Sequence, residues 1–207
     1  MFTTNRYADL LPFRYDVINT RPKDRTPIQP VSEGSVLPLF HLHREDFLVP
    51  LSFLSPEGSY IVGSELLNQP LVLAFFSVHW NDYGPKFLQQ LEDLYADIQV
   101  MGGQLLVVTG DRKEDLKGLQ VKFPLAYDKD YRIAKSAGIY AETDPLWARL
   151  SGFEENAPLP AVYVLGQSQR IGWSFTDRLF DQQIPRRELL TAVYTTGQAQ
   201  ALSRAIA

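Results

Sequence analysis

The sequence predicts an α/β protein: a mixed central sheet flanked by helices, with an N-terminal arm. Three observations carry the prediction. Leu71 to Val78 is a nearly unbroken apolar run, as a strand covered on both faces requires. Phe87, Leu88, Leu91, Leu94, Tyr95, Ile98 and Met101 then repeat at helical spacing, up to a stop at Gly102-Gly103. Further on, Ala161 to Leu165 and Arg170 to Phe175 are extended segments joined by Gly166-Gln167-Ser168-Gln169, which reads as a hairpin.

The remaining elements follow in order. Residues 1–35 are polar and marked by Pro12, Pro22, Pro27 and Pro30, an arm lying on the core or on a partner subunit. Residues 36–207 form the single domain, a division that suits a chain of 207 residues. Pro56-Glu57-Gly58-Ser59 is a turn before the extended Tyr60-Ile61-Val62, and Ser64 caps a brief turn or helix through Leu67. Leu105 to Val108 is a second buried strand, and Asp111 to Leu119 reads as a short charged helix. Phe123 to Tyr127 is extended, Asp130 to Ala137 is a helix stopped by Gly138, and Asp144-Pro145-Leu146-Trp147 marks a small helical insertion. Pro185 suits the first turn of a closing helix containing Leu189, Leu190 and Val193. Strand, helix, strand, helix, hairpin, helix is the order of a thioredoxin-like fold, with parallel strands from the crossover half and antiparallel ones from the hairpin.

Composition narrows the function classes. Hydrophobic residues make up 45% of the chain and charged ones 21%, which permits a globular core. A net charge of -4 without a clustered basic face argues against a nucleic-acid partner. No apolar run is long enough to cross a bilayer and no leader pattern is visible at Met1 to Asp9, so a cytoplasmic protein without a membrane partner is expected. The chain has no cysteine, which removes disulfides, thiolate metal sites and thiol redox chemistry in cis. No cofactor is expected. Gly102-Gly103 follows a helix and precedes a strand, whereas a phosphate loop needs the reverse order.

The candidate site is the turn between the first buried strand and its helix, His79-Trp80-Asn81-Asp82-Tyr83-Gly84. His79 falls at the carboxyl end of a central strand, where open α/β sheets bind ligands. Asn81 and Asp82 suit the helix N-cap, the commonest reason for such residues at a helix start. His41 and His43, two apart, share one strand face, but the third ligand that a metal needs at defined spacing is missing. Trp147, Phe153 and Trp173 read as packing residues.

From about Gly34 to Tyr194 the chain resembles peroxiredoxin-like proteins of the AhpC/TSA family. Many of these carry a Trp-Cys-Pro-Tyr-Cys turn after the strand. Trp80 and Tyr83 keep their places, while Asn81 and Gly84 stand where the two cysteines would be and Asp82 where the proline would be. Gly84-Pro85-Lys86 also matches the Gly-Pro of a thioredoxin-type turn, and neither register supplies sulfur. Phe123-Pro124-Leu125-Ala126-Tyr127-Asp128 and Pro158-Leu159-Pro160-Ala161-Val162-Tyr163-Val164 resemble two further family segments. The resemblance makes Pro160 a cis-proline facing the turn. It implies a thioredoxin-like fold and an antioxidant oxidoreductase. The family's arginine is not matched in spacing, although Arg178 is near.

Peroxide reduction requires a thiolate that attacks the O–O bond and is re-reduced by another thiol. An asparagine carboxamide does neither. The first expectation is therefore a protein without thiol peroxidase activity, binding a small molecule or a protein around His79, Trp80, Asn81, Asp82, Tyr83 and Pro160, or pairing as a homodimer. The second is an enzyme of different chemistry with His79 or Asp82 as acid or base. The third is a redox protein served by a partner's cysteine.

Overall fold

The computed structural model describes residues 27–49, 60–62 and 65–206. The expected turn at 56–59 and cap at Ser64, and the first 26 residues of the arm, lie outside the described residues. A six-stranded sheet has the order β2-β6-β5-β4-β7-β8. Its strands are β2 (Phe47–Val49), β4 (Leu71–Phe75), β5 (Gln104–Thr109), β6 (Leu125–Tyr127), β7 (Ala161–Leu165) and β8 (Ile171–Thr176). β4, β5 and β6 run parallel; β2, β7 and β8 pair antiparallel to their neighbours. A separate antiparallel pair joins β1 (His41–His43) to β3 (Tyr60–Val62).

β4 is central because every residue in it is apolar and buried, so both of its faces need cover. One face packs against α1 (Tyr83–Val100) and α4 (Arg186–Ile206) through Phe87, Leu91, Ile98, Leu189 and Val193. The other packs against the incoming segment at Ile28 and Leu37, and against α2 (Arg132–Ser136) at Ile133 and Ala134. α1 ends where the spacing predicts. Gly102 takes φ +79, and the Gly103 N–H closes back on the Ile98 carbonyl at 2.9 Å. A side chain at Gly103 would come within 2.6 Å of Val193, so this glycine also lets α4 approach. α3 (Leu146–Arg149) is the small helical insertion, and Gly138 (φ +66) ends α2.

Two elements differ from expectation. The apolar run 71–78 is a strand only to Phe75; Val78–Trp80 form a 3-10 turn, because the Ser77 hydroxyl accepts the His79 N–H at 3.1 Å and turns the chain. Residues 111–119 are not a helix. Successive turns close from Asp115 N–H to Arg112, Lys117 to Glu114 and Leu119 to Leu116, and Gly118 sits at φ +88. The Asp111 carboxylate faces inward to the neighbouring strand end, so it does not cap a helix of its own.

Candidate functional site

Parallel pairing places Phe75 opposite Val108, so the chain segments leaving β4 and β5 emerge side by side. Asp111, three residues beyond Val108, is 1% exposed. One carboxylate oxygen accepts the Ser77 hydroxyl at 2.8 Å and the other accepts the Val78 N–H at 2.7 Å. The His79 imidazole, 28% exposed, holds Nε2 3.8 Å from Asp111 Oδ1. Burial pushes the Asp111 carboxyl above its ordinary value, with the Val78, Ser77 and Thr109 hydrogen bonds and His79 pulling the other way. His79 lies in the 3-10 turn beyond β4, not directly at the strand end, and has a partner that sequence reading missed. The missing signal was the alignment of two adjacent parallel strands.

Trp80, a pocket residue by sequence, is core, 1% exposed. Its indole N–H donates to the Pro158 carbonyl at 2.8 Å. Phe87 and Phe180 meet its ring edge-on at 5.4 and 5.9 Å. Tyr83 stacks on Phe87, and its hydroxyl donates to the Gln182 carbonyl at 3.3 Å. Burial, then the nearby Asp177 carboxylate, drives the Tyr83 phenol upward, so it remains a neutral donor at physiological pH. Asp177 is fully buried and accepts the N–H groups of Leu179, Phe180 and Gln182, which brings the Phe180 ring onto this cluster.

Neither Asn81 nor Asp82 caps α1 with its side chain. Asp82 holds the N-cap position without a side-chain cap bond and is exposed. Asn81 sits at φ 51, ψ -135, and Asp82 at φ -65, ψ -15, close to the two central residues of a type II′ turn. The Asn81 carboxamide is drawn away from the helix and donates to the Gly152 carbonyl at 3.0 Å. Such a backbone favours glycine. Asn81→Gly is therefore expected to leave stability within about 0.5 kcal/mol of the parent, whereas Asn81→Ala costs about 1 kcal/mol through strain and the lost hydrogen bond. Paired urea melts of the two variants check this ordering.

Gly84 is buried in the first turn of α1, where an added Cβ would stand 3.1 Å from the Ser77 carbonyl oxygen. Pro160 is buried, but its peptide bond is not cis; no cis bond occurs among the described residues. The chain around it is held extended, by Leu159 N–H to the Ile139 carbonyl and by Asp177 N–H to the Pro160 carbonyl, each at 3.0 Å. Trans is also the intrinsically favoured isomer. His41 and His43 line a separate cavity beside the end of β6, and among the described residues no group of three or more His, Asp or Glu could hold a metal ion. Nor is any described helix long and apolar enough to cross a membrane.

Sheet order, crossover helix, terminal hairpin and strand-end turn define a thioredoxin-like fold of the peroxiredoxin type. The chain belongs to the AhpC/TSA family, whose pattern matches residues 44–174. Among solved structures it is similar to the reduced 2-Cys peroxiredoxin of Plasmodium vivax, with 14% identity and TM-score 0.58, covering 79% of this chain and 81% of that one. AhpC of Mycobacterium tuberculosis aligns with 14% identity and TM-score 0.57, covering 80% of this chain and 92% of the other. The peroxidoxin BcpB of the same organism aligns at 15% and 0.54, covering 81% and 97%. No curated protein matches the chain in sequence.

Proposed function

We propose that this AhpC/TSA family member has no thiol peroxidase activity and serves as a binding or interaction protein for a small molecule or another protein chain. One observation carries the reading. The two positions that the resemblance assigns to cysteine are Asn81, tied to the Gly152 carbonyl in a left-handed turn, and Gly84, packed against the Ser77 carbonyl. Both departures reach beyond the missing sulfur. One backbone disfavours a β-carbon and the other position leaves little room for one. The aromatic frame of Trp80 and Tyr83 is spent on packing with Phe87 and Phe180.

The test is hydroperoxide consumption with dithiothreitol or thioredoxin as reductant, on the unmodified chain and on Asn81→Cys. The expected result is no turnover above buffer for the unmodified chain, and little gain in the variant. Turnover by the unmodified chain would refute the proposal. Substantial turnover by the variant alone would show that sulfur is the sole missing part.

One observation favours a second reading, acid–base chemistry at the strand ends. The His79–Asp111 pair gives the imidazole an oriented carboxylate neighbour, as general acid–base sites do. Asp82, exposed and without a cap bond, has no comparable partner in the described residues.

A further inference from the structure

A cavity of about 480 Å³ opens between the segment 39–46 and the segment 127–136. It lies toward the carboxyl end of β6, on the sheet face opposite the Trp80 cluster. Its size suits a small-molecule site, roughly 300–1,000 Å³ in proteins generally. Leu42 and Ile133, both buried, contribute to its apolar surface. Its two walls differ in charge: Lys129 and Arg132 line one side above the buried Asp128 carboxylate, and Glu45 and Asp46 line the other beside His41 and His43.

The two walls do not neutralise each other across the cavity. Arg132 pairs with Asp130 at 3.6 Å, and Asp46 accepts the His43 backbone N–H at 2.8 Å. Among the described residues no ion pair joins the walls, and neither Lys129 nor Glu45 has a charged partner. The basic wall is also a built feature. Asp130 and Tyr131 both take left-handed backbone, at φ 58 and φ 54, between Lys129 and Arg132. Two consecutive non-glycine residues in that region are costly and need surrounding structure to hold them. The Asp128 carboxylate holds them from below, accepting the Ile133 and Ala134 N–H groups at 2.9 Å each. The Tyr131 ring is stacked on Tyr140 at 4.0 Å.

A simple anion in this cavity would face Glu45 and Asp46, and a simple cation would face Lys129 and Arg132. A ligand bearing both charges satisfies both walls. We propose that the cavity binds a zwitterionic α-amino acid, its carboxylate toward Lys129 and Arg132, its ammonium toward Glu45 and Asp46, and an apolar side chain against Leu42 and Ile133. Leu42 and Ile133 of this site belong to the core on the sheet face opposite Trp80, although the Tyr131 ring between its basic residues packs against Gly110, next to Asp111.

The experiment is isothermal titration of the full chain with L-leucine, L-methionine and L-phenylalanine, each beside its N-acetyl and its amide derivative. Amide shift mapping locates any binding. At least one free amino acid is expected to bind saturably and to shift resonances in both 39–46 and 127–136. Its blocked forms bind at least about tenfold more weakly, since each lacks one charge-assisted contact. Lys129→Met and Glu45→Gln each weaken the free amino acid to a similar extent without changing the melting temperature. The proposal is overturned if none of the three binds, if a blocked form binds as well as its parent, or if the shifts map elsewhere.

Discussion

Trp80→Ala lowers the denaturation midpoint more than any other single change at the turn, by about 3–5 kcal/mol of folding free energy. The indole is among the largest fully buried side chains, and its removal leaves a cavity bordered by Phe76, Phe87, Phe180 and Tyr83. It also strands the Pro158 carbonyl, which accepts the indole N–H. The loss is a large part of the roughly 5–15 kcal/mol that holds a domain folded. Trp80→Phe separates the two causes. It restores most of the volume and not the hydrogen bond, so it costs about 1–3 kcal/mol. Urea denaturation of both variants measures the pair. If Trp80→Ala costs no more than Trp80→Phe, the aromatic cluster does not support the turn.

Asp111 carries the second large effect. Asp111→Ala leaves the Ser77 hydroxyl and the Val78 N–H without their acceptor inside the protein, at a cost of about 2–4 kcal/mol. Asp111→Asn is milder, because its carbonyl can accept from Val78 while its amide donates to Ser77 Oγ. The two variants also separate in pH dependence. Burial holds the native Asp111 carboxyl above its unfolded value of 3.8, so the folded state keeps this proton longer. The unfolded state then binds fewer protons between the two values, and stability falls as pH rises from near 3.8 to the folded value. Above that value the Asp111 contribution is flat. The stability difference between the parent and Asp111→Asn therefore favours the parent most at acid pH and narrows toward neutrality. Equal slopes for the two proteins between pH 4 and 7 would place the native carboxyl at its unfolded value and contradict the buried geometry.

Much of this fold is legible in the sequence because its signals are local. The apolar run at 71–75 and the spacing of Phe87, Leu91, Leu94 and Ile98 each state which face is buried. The Gly102-Gly103 stop and the glycine-led turn between β7 and β8 are equally local. Residues 111–119 show the limit. Arg112 and Asp115 pair three residues apart, a spacing that serves a helix and a chain of turns alike. Only the inward pull on Asp111 decides between them.

For the candidate site, the sequence shows which turn the residues share and not what surrounds them. His79 could be placed at a strand end, whereas Asp111 reaches it from the next parallel strand, and Phe180 and Asp177 reach Tyr83 from about a hundred residues away. Asn81 reads as a cap by residue type. Its left-handed backbone, set by the turn it belongs to, sends the carboxamide to Gly152 instead. The Leu159–Pro160 bond is a similar case, since the hydrogen bonds flanking it come from Ile139 and Asp177.

The place of β4 between β5 and β7 bears on timescale. Its amides are paired on both sides and it is buried along its whole length, so they open only with global unfolding and are expected among the slowest to exchange with deuterated water. The residues just beyond it, Asn81 and Asp82, are exposed and anchored by few bonds. The exposed amides of Asn81 and Asp82 are therefore expected to exchange faster than those of β4, a contrast within a few residues of one strand end. A ligand arriving there would meet exposed polar groups set on the most deeply buried strand of the sheet.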